Sequence, residues 1–225
     1  MNRAIHIEHV FKNFGQEHVL HDICHDFEAG QIHGIVGNNG SGKTVLMKCI
    51  CGFLPPTKGK ILVHNKHVGK DVDFPDDLGL IIETPSFLPG LSGRKNLNIL
   101  ASLRHSIKEV DVRNAITLVG LDPNMKKPVS KYSLGMRQRL GIAQAIMENP
   151  TLLILDEPFN GLDKQGVTDM RKLILSLRAQ GKTILLVSHN AQDIDVLCDT
   201  VCEMDAGILT VVRTSTHGMW SFPNF

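Results

Sequence analysis

The sequence predicts an α/β fold: a mostly parallel sheet with an antiparallel β region at its N-terminal end and a block of helices spliced into it. Three observations predict it. After Pro150, short apolar runs alternate with helix-like segments in "TLLILDEP", "KQGVTDMRKLILSLRAQG", "KTILLVSH", "NAQDIDVLCD" and "TVCEMD". Strands buried on both faces of a parallel sheet read as such continuous Val/Ile/Leu runs. From about residue 84 to 148 the apolar spacing is helical, in "SGRKNLNILASLRH", "KEVDVRNAITLVGL" and "SLGMRQRLGIAQAIMEN". Finally, a strand-like stretch runs straight into the glycine-rich "GIVGNNGSGKT".

The elements follow in order. "AIHIEHVFKNF" alternates at its start and reads as a strand; "HVLHDICHDFEAGQIHGIVG" gives two more, separated by Ala29-Gly30. "GKTVLMKCICGFL" has helical length, no proline, and a stop before Pro55-Pro56. "GKILVHNKHV" reads as a hairpin. The expected organisation is one domain, with residues 1–83 and 149–225 forming an α/β core and 84–148 a helical subdomain. No repeat or low-complexity tract interrupts it, and the tail "THGMWSFPNF" is too short to be a domain.

Composition excludes several classes. Lys plus Arg is 24 against 23 for Asp plus Glu, so the basic excess of a nucleic-acid binder is missing and no nucleic-acid partner is expected. The five cysteines contain no C-x-x-C pair, which argues against a zinc ribbon and for buried thiols in a reducing compartment. "MNRAIHIEHV" has no apolar core of signal-peptide length, and no apolar run approaches the ~20 residues of a membrane helix. A cytoplasmic chain is expected, reaching a membrane only through a partner.

The run from Gly37 to Thr44 fits G-x-x-x-x-G-K-[ST], between a predicted strand and a predicted helix, the context this P-loop motif requires. Gly37, Gly40 and Gly42, with Asn38, Asn39 and Ser41 between them, let the backbone curl so that N–H groups point at an anion. The helix opening at Lys43, Thr44 and Val45 adds the positive end of its dipole. Lys43 reaches the β- and γ-phosphates of ATP as a point charge, and Thr44 offers a hydroxyl to Mg²⁺. "LLILDEP" supplies a second metal anchor in Asp156, and Glu157 is placed to polarise the attacking water. A lone Asp there would read as a strand cap; beside a P-loop it does not.

With these motifs stand "YSLGM" at 132–136, "NGLD" at 160–163 and "VSH" at 187–189. In this order the set resembles the ATP-binding subunits of ABC transporters, over nearly the whole chain. The resemblance implies an ATPase of P-loop fold that works as a head-to-tail dimer. Each ATP is sandwiched between one subunit's P-loop and the signature helix of the other, so Ser133 and Gly135 would serve a nucleotide held by the partner; a plain helix N-cap at Ser133 is compatible with that role. It implies that His189 touches the γ-phosphate and steadies Glu157 and the water, and that an aromatic in the first strands stacks on adenine. Phe14, directly before Gly15, fits the family spacing better than Phe11. The resemblance also implies a transmembrane permease on a separate chain, contacted from Glu83 to about Leu97, and a location on the inner face of the membrane.

The departures narrow the resemblance. Leu134 and Met136 stand where the commoner signature has Gly and Gln. Glu83 stands where the family usually has a Gln that ligates Mg²⁺; a carboxylate is an equally hard ligand, and that role is expected ahead of a second general base or a plain surface residue. This form resembles the subgroup for bacitracin- and lantibiotic-type peptides, hence export of a peptide antibiotic or drug. The competing reading, an ABC-type ATPase on nucleic acid or the ribosome, is disfavoured by the single P-loop, the charge balance, and the roughly 110 residues between Lys43 and Asp156, which suit a small helical subdomain. The remaining histidines read as solvated. His6 and His9, three apart on a strand, are expected on opposite faces and therefore not as co-ligands.

Overall fold

The computed structural model describes residues 3–104 and 107–214. The tail "THGMWSFPNF" lies outside the described residues. Two sheets organise the chain. β1 (Arg3–Phe14) and β2 (Glu17–Glu28) form a long antiparallel ribbon that turns at Gly15, and β4 (Lys58–Val63) with β5 (Lys66–His67) extends it to the order β2-β1-β4-β5. The predicted hairpin closes through His64 and Asn65, both at positive φ (48° and 63°), as a two-residue turn matched to strand twist requires.

The second sheet has the order β10-β9-β3-β8-β7-β6. β3 (Ile32–Val36), β8 (Thr183–Val187), β7 (Leu152–Asp156), β6 (Leu78–Ile81) and β9 (Thr200–Asp205) run parallel. β3 and β8 are buried at every residue, which is why their sequences do not alternate. β10 (Ile208–Arg213) closes the edge antiparallel to β9, a strand that the pattern after "TVCEMD" had not suggested. Its outer positions are half-exposed, so "ILTVVR" lacks the buried-strand signature.

One core lies between the sheets, where Ile5, Ile7, Leu20, Ile23 and Phe27 of the ribbon meet Leu46, Met47 and Ile50 of α1 (Lys43–Ile50) and Ile154, Leu185 and Val187 of the parallel sheet. α1 is shorter than "GKTVLMKCICGFL" suggests. Gly52 ends it at φ +84°, where an added Cβ would lie 2.2 Å from the Asp73 carbonyl oxygen. A second core gathers α2 (Gly93–Arg104), α3 (Glu109–Leu118), α4 (Leu134–Ile146) and α5 (Lys164–Ala179) against the other face of the sheet. α4 reaches from the signature segment back to the sheet, its Ala145 carbonyl so close to β6 that Gly79 has no room for a Cβ. Among the described residues no helix is long and apolar enough to cross a membrane.

The ribbon departs from simple alternation. Ile7 pairs with His25 and Val10 with Ile23, so Glu8 and His9 together oppose Cys24; then Val10 pairs with Ile23 and Lys12 with Leu20, so His21 and Asp22 oppose Phe11. These two bulges, one per strand, are the inner pair of four register shifts along the ribbon, and they cancel each other. His9 and Asp22 carry them, at φ 49° and 48°. This corrects the expectation for His6 and His9. The inserted residue turns His9 to the outer face, where His6 already meets Asp26 and Glu8.

Candidate active site

β3, β8 and β7 are neighbours, and their C-terminal ends deliver three loops to one crevice. Ligands of parallel sheets bind at such carboxyl ends. β3 delivers the glycine loop, β7 delivers Asp156 and Glu157, and β8 delivers Ser188 and His189. The result is a cavity of about 530 Å³ lined by Phe14, Glu17, Val19, Asn39, Gly40, Gly42, Lys43, Thr44, Val45, Asp156, Glu157 and His189.

The loop's shape depends on residues without side chains. At Gly37 (φ +139°) a Cβ would fall 2.1 Å from the Met204 carbonyl oxygen. Gly42 (φ +107°) sits at the N-cap of α1 and gives no side-chain cap, so the first N–H groups of that helix are left to a ligand. Lys43 Nζ donates to the carbonyls of Gly37 (2.7 Å) and Asn38 (2.8 Å), which holds the loop closed around its own cation. Burial lowers the Lys43 pKa, opposed by Asp156 and Glu157. The Ser41 hydroxyl is buried without a hydrogen-bond partner. An orphaned hydroxyl, an uncapped helix start and a buried lysine are what a polyphosphate would satisfy.

Thr44 Oγ1 lies 3.4 Å from Asp156 Oδ2, which brings the two expected metal ligands together. Burial raises the Asp156 pKa, and the hydrogen bond from Thr44, the Glu83 backbone N–H and Lys43 counter it. Hard oxygen donors of this kind suit Mg²⁺. Glu157 lies one residue past the strand at φ 49°. Burial pushes its pKa up to about 7, with the Asp156 charge adding to the rise and the His189 backbone N–H opposing it. Its Oε1 is buried with no hydrogen-bond partner, and His189 Nε2 stands 3.5 Å away. An unpartnered carboxylate oxygen at that pKa can accept a proton from water near neutral pH.

Three predicted residues lie elsewhere. Glu83 sends its side chain outward to Lys48 Nζ (2.6 Å); only its backbone N–H, on a residue at φ 62°, addresses Asp156. Ser133 caps α4, accepting from the Met136 N–H (3.1 Å), and neither it nor Gly135 lines the cavity. Gly135 packs on the Gly161 carbonyl, and the Leu134 side chain folds over Gly161 (φ +76°), so the "YSLGM" and "NGLD" segments touch within one chain. Asp163 ends that segment by capping α5 through the Gly166 N–H.

Two supporting residues were not foreseen. Buried Gln138 donates from Nε2 to the Glu157 carbonyl (3.1 Å), tying α4 to the carboxylate turn. Asp193 accepts from the Ser188 hydroxyl (2.9 Å) and from Arg171 Nε (2.8 Å), while the Asn190 N–H donates to Ser188 Oγ, which fixes the loop carrying His189. The first had a signal in a polar residue on the inward side of "LGMRQRLGIAQAI". The second needs Arg171, far away in sequence.

A glycine loop that curls round a buried lysine at a strand–helix junction, facing a carboxylate pair at the tip of β7 one strand away, defines a P-loop nucleotide hydrolase. The chain belongs to the ABC transporter family, whose sequence profile matches residues 20–160; it is an ATP-binding subunit of that family, with the fold of an ATPase cassette. It is 41% identical over 205 residues to an uncharacterized ABC transporter ATP-binding protein of Bacillus subtilis (strain 168), covering 91% of this chain and 94% of that one. It is 39% identical to the bacitracin transport ATP-binding protein of Enterococcus faecalis (93% of this chain, 68% of that one) and 33% identical to the lantibiotic transport ATP-binding protein of Streptococcus pyogenes (87% and 84%). Among solved structures, cbiO1 of Clostridium perfringens, part of the ABC transporter complex cbiONQ, superposes with a TM-score of 0.80 at 27% identity (93% and 88%). A dimeric ATP-binding cassette bound to ADP and Pi superposes at 0.82 with 20% identity (93% and 99%), a likeness of fold.

Proposed function

We propose that this subunit hydrolyses ATP with Glu157 as general base, in a head-to-tail dimer that drives a separate membrane permease exporting a peptide antibiotic or similar compound. The observation that carries the chemistry is the buried, unpartnered Glu157 Oε1 beside His189 at the mouth of the phosphate loop. ATP lies with its phosphates on the loop of Gly37 to Thr44 and its base toward Phe14, which is about half exposed at the cavity edge. Lys43 exchanges its loop carbonyls for phosphate oxygens, and Ser41 donates its free hydroxyl. Thr44 and Asp156 are the residues that would hold Mg²⁺, which when bound neutralises charge on the β- and γ-phosphates. Glu157 takes the proton of the attacking water, and His189 orients the carboxylate and faces the γ-phosphate.

The second half of the site comes from the partner subunit. The exposed Ser133, with Gly135 and the start of α4, closes over the γ-phosphate of the opposite nucleotide. The segment from Glu83 to about Leu97 is the contact to the permease, which places the chain on the inner face of the membrane. The names of the bacitracin and lantibiotic relatives support the reading of peptide-antibiotic transport.

The test is Mg-ATP turnover and ATP-dependent dimerisation of purified Glu157→Gln beside the unsubstituted chain. Tight ATP binding, a dimer on a sizing column and turnover reduced by about 10²–10⁴-fold are expected. Turnover within a few-fold of the unsubstituted chain would overturn the assignment of the base.

A further inference from the structure

The outer face of the β1–β2 ribbon holds a cluster that the nucleotide chemistry does not use. His9 Nδ1 lies 2.8 Å from Asp22 Oδ1 and 3.4 Å from Cys24 Sγ. The His9 backbone N–H donates to Cys24 Sγ (3.2 Å) and fixes the sulfur against the ring. One donor atom from each residue lies within 4.8 Å of the other two, and all three residues are exposed. The paired bulges create this arrangement. In an unbroken strand His9 would share the buried face of Ile5 and Ile7; the inserted residue sends Val10 inward in its place and His9 outward, beside the alternate β2 residues Asp22 and Cys24. Bulges re-aim side chains in this way and are concentrated next to functional sites.

We propose that His9, Asp22 and Cys24 form a binding site for a borderline-soft divalent cation, Zn²⁺ foremost, with the fourth position left to water. An imidazole, a thiolate and a carboxylate are the donor types that Zn²⁺ takes. The spacing fits. With Zn–N of about 2.0 Å and Zn–S of about 2.3 Å, a tetrahedral ion sets nitrogen and sulfur about 3.5 Å apart, against 3.4 Å here. The nitrogen–oxygen pair needs to open by about half an ångström from its hydrogen-bonded separation. Binding releases the Cys24 thiol proton to solvent, because the thiolate is the ligand. The ion would clamp the two strands whose far end carries Phe14, Glu17 and Val19 into the nucleotide cavity. The other four cysteines are buried and lie outside the cluster.

The test uses the reduced full chain, free of Mg²⁺ and nucleotide, titrated with Co²⁺ as an optical stand-in for Zn²⁺. One equivalent is expected to give thiolate-to-cobalt charge-transfer absorption and the d–d bands of a four-coordinate ion, both removed by Zn²⁺. Cys24→Ser should abolish the charge-transfer band. His9→Ala and Asp22→Asn should weaken Co²⁺ binding by at least the roughly 10–100-fold that even outer-shell losses cause. Unchanged circular dichroism and Mg-ATP binding in each variant show that it is folded. No charge-transfer band in the unsubstituted chain, a band that survives Cys24→Ser, or equal affinity in His9→Ala and Asp22→Asn would each overturn the site.

Discussion

The helix that follows the phosphate loop and the helix that follows Ser133 begin in opposite ways. α1 starts after Gly42, which offers no capping side chain, and its first N–H groups open into the cavity above a buried lysine. α4 starts after Ser133, whose hydroxyl already takes the Met136 N–H, at an exposed position where the nearby Arg137 guanidinium is held by the Tyr132 carbonyl. An uncapped start is unfavourable in isolation and marks a place where a ligand completes the structure. A capped start is complete in the free chain and has only its remaining donors to offer an incoming anion. In the proposed dimer one subunit carries a full phosphate site and half of a second, and the two halves should respond differently to substitution.

The largest effect is expected at the full site. Lys43→Ala removes the charge-assisted contacts proposed to the β- and γ-phosphates, worth about 1.5–3 kcal/mol each. Mg-ATP affinity should fall about 100-fold or more by equilibrium titration, in monomer and dimer alike. Unchanged affinity would show that the open helix start holds the phosphates without the lysine.

Next comes Glu157. Burial raises its pKa to about 7 from 4.5, so the ionised base gains population as pH rises through that range. Turnover at limiting ATP should climb across a limb near pH 7, and Glu157→Gln should lack it. The same shift has a stability signature. The folded chain keeps this proton to a higher pH than the unfolded chain, so stability should fall as pH rises between those two values, and the Gln variant should lose that slope in urea unfolding.

Substitution at the capped start should separate dimerisation from binding. Ser133→Arg, in a Glu157→Gln background, should abolish the ATP-induced dimer while monomer affinity stays within a few-fold. Ser133→Ala should cost about 1 kcal/mol of stability through the lost cap. An arginine variant that dimerises normally would mean that α4 meets no partner.

This contrast also explains how much was legible in the sequence. The P-loop, the carboxylate pair and the buried strands that carry them are local: each is a contiguous run whose chemistry and secondary structure are set by the same few residues. What escaped depends on partners distant in the chain. Asp193 matters through Ser188 and Arg171, and Gln138 through the Glu157 carbonyl. His9 and Cys24 meet because two bulges cancel across a ribbon, and alternation counted along one strand cannot see the other. β10 escaped for another reason. An edge strand with half-exposed positions has no continuous apolar run to announce it.

The smallest effect, and the finest test, concerns Glu83. Its carboxylate is held by Lys48 at 2.6 Å, a largely exposed pair of the kind worth about 0–1 kcal/mol. To serve as a Mg²⁺ ligand it has to leave that lysine and turn toward Thr44 and Asp156, where its backbone already points. The ion pair then works as a weak brake on metal binding. Lys48→Ala releases the brake and should tighten the apparent Mg²⁺ dependence of ATPase activity by up to about fivefold, the equivalent of 1 kcal/mol. Glu83→Gln keeps an oxygen ligand but loses its charge, and should loosen the dependence modestly while turnover at saturating Mg²⁺ stays largely intact. The double variant should match Glu83→Gln alone, because without the carboxylate the lysine has nothing to restrain. Additive effects in the double variant would mean that Lys48 acts on the metal by its own charge, and a hundredfold loss of saturated turnover in Glu83→Gln would make Glu83 a second base. If neither single variant moves the Mg²⁺ dependence, the pair is a surface contact and the metal rests on Thr44 and Asp156 alone.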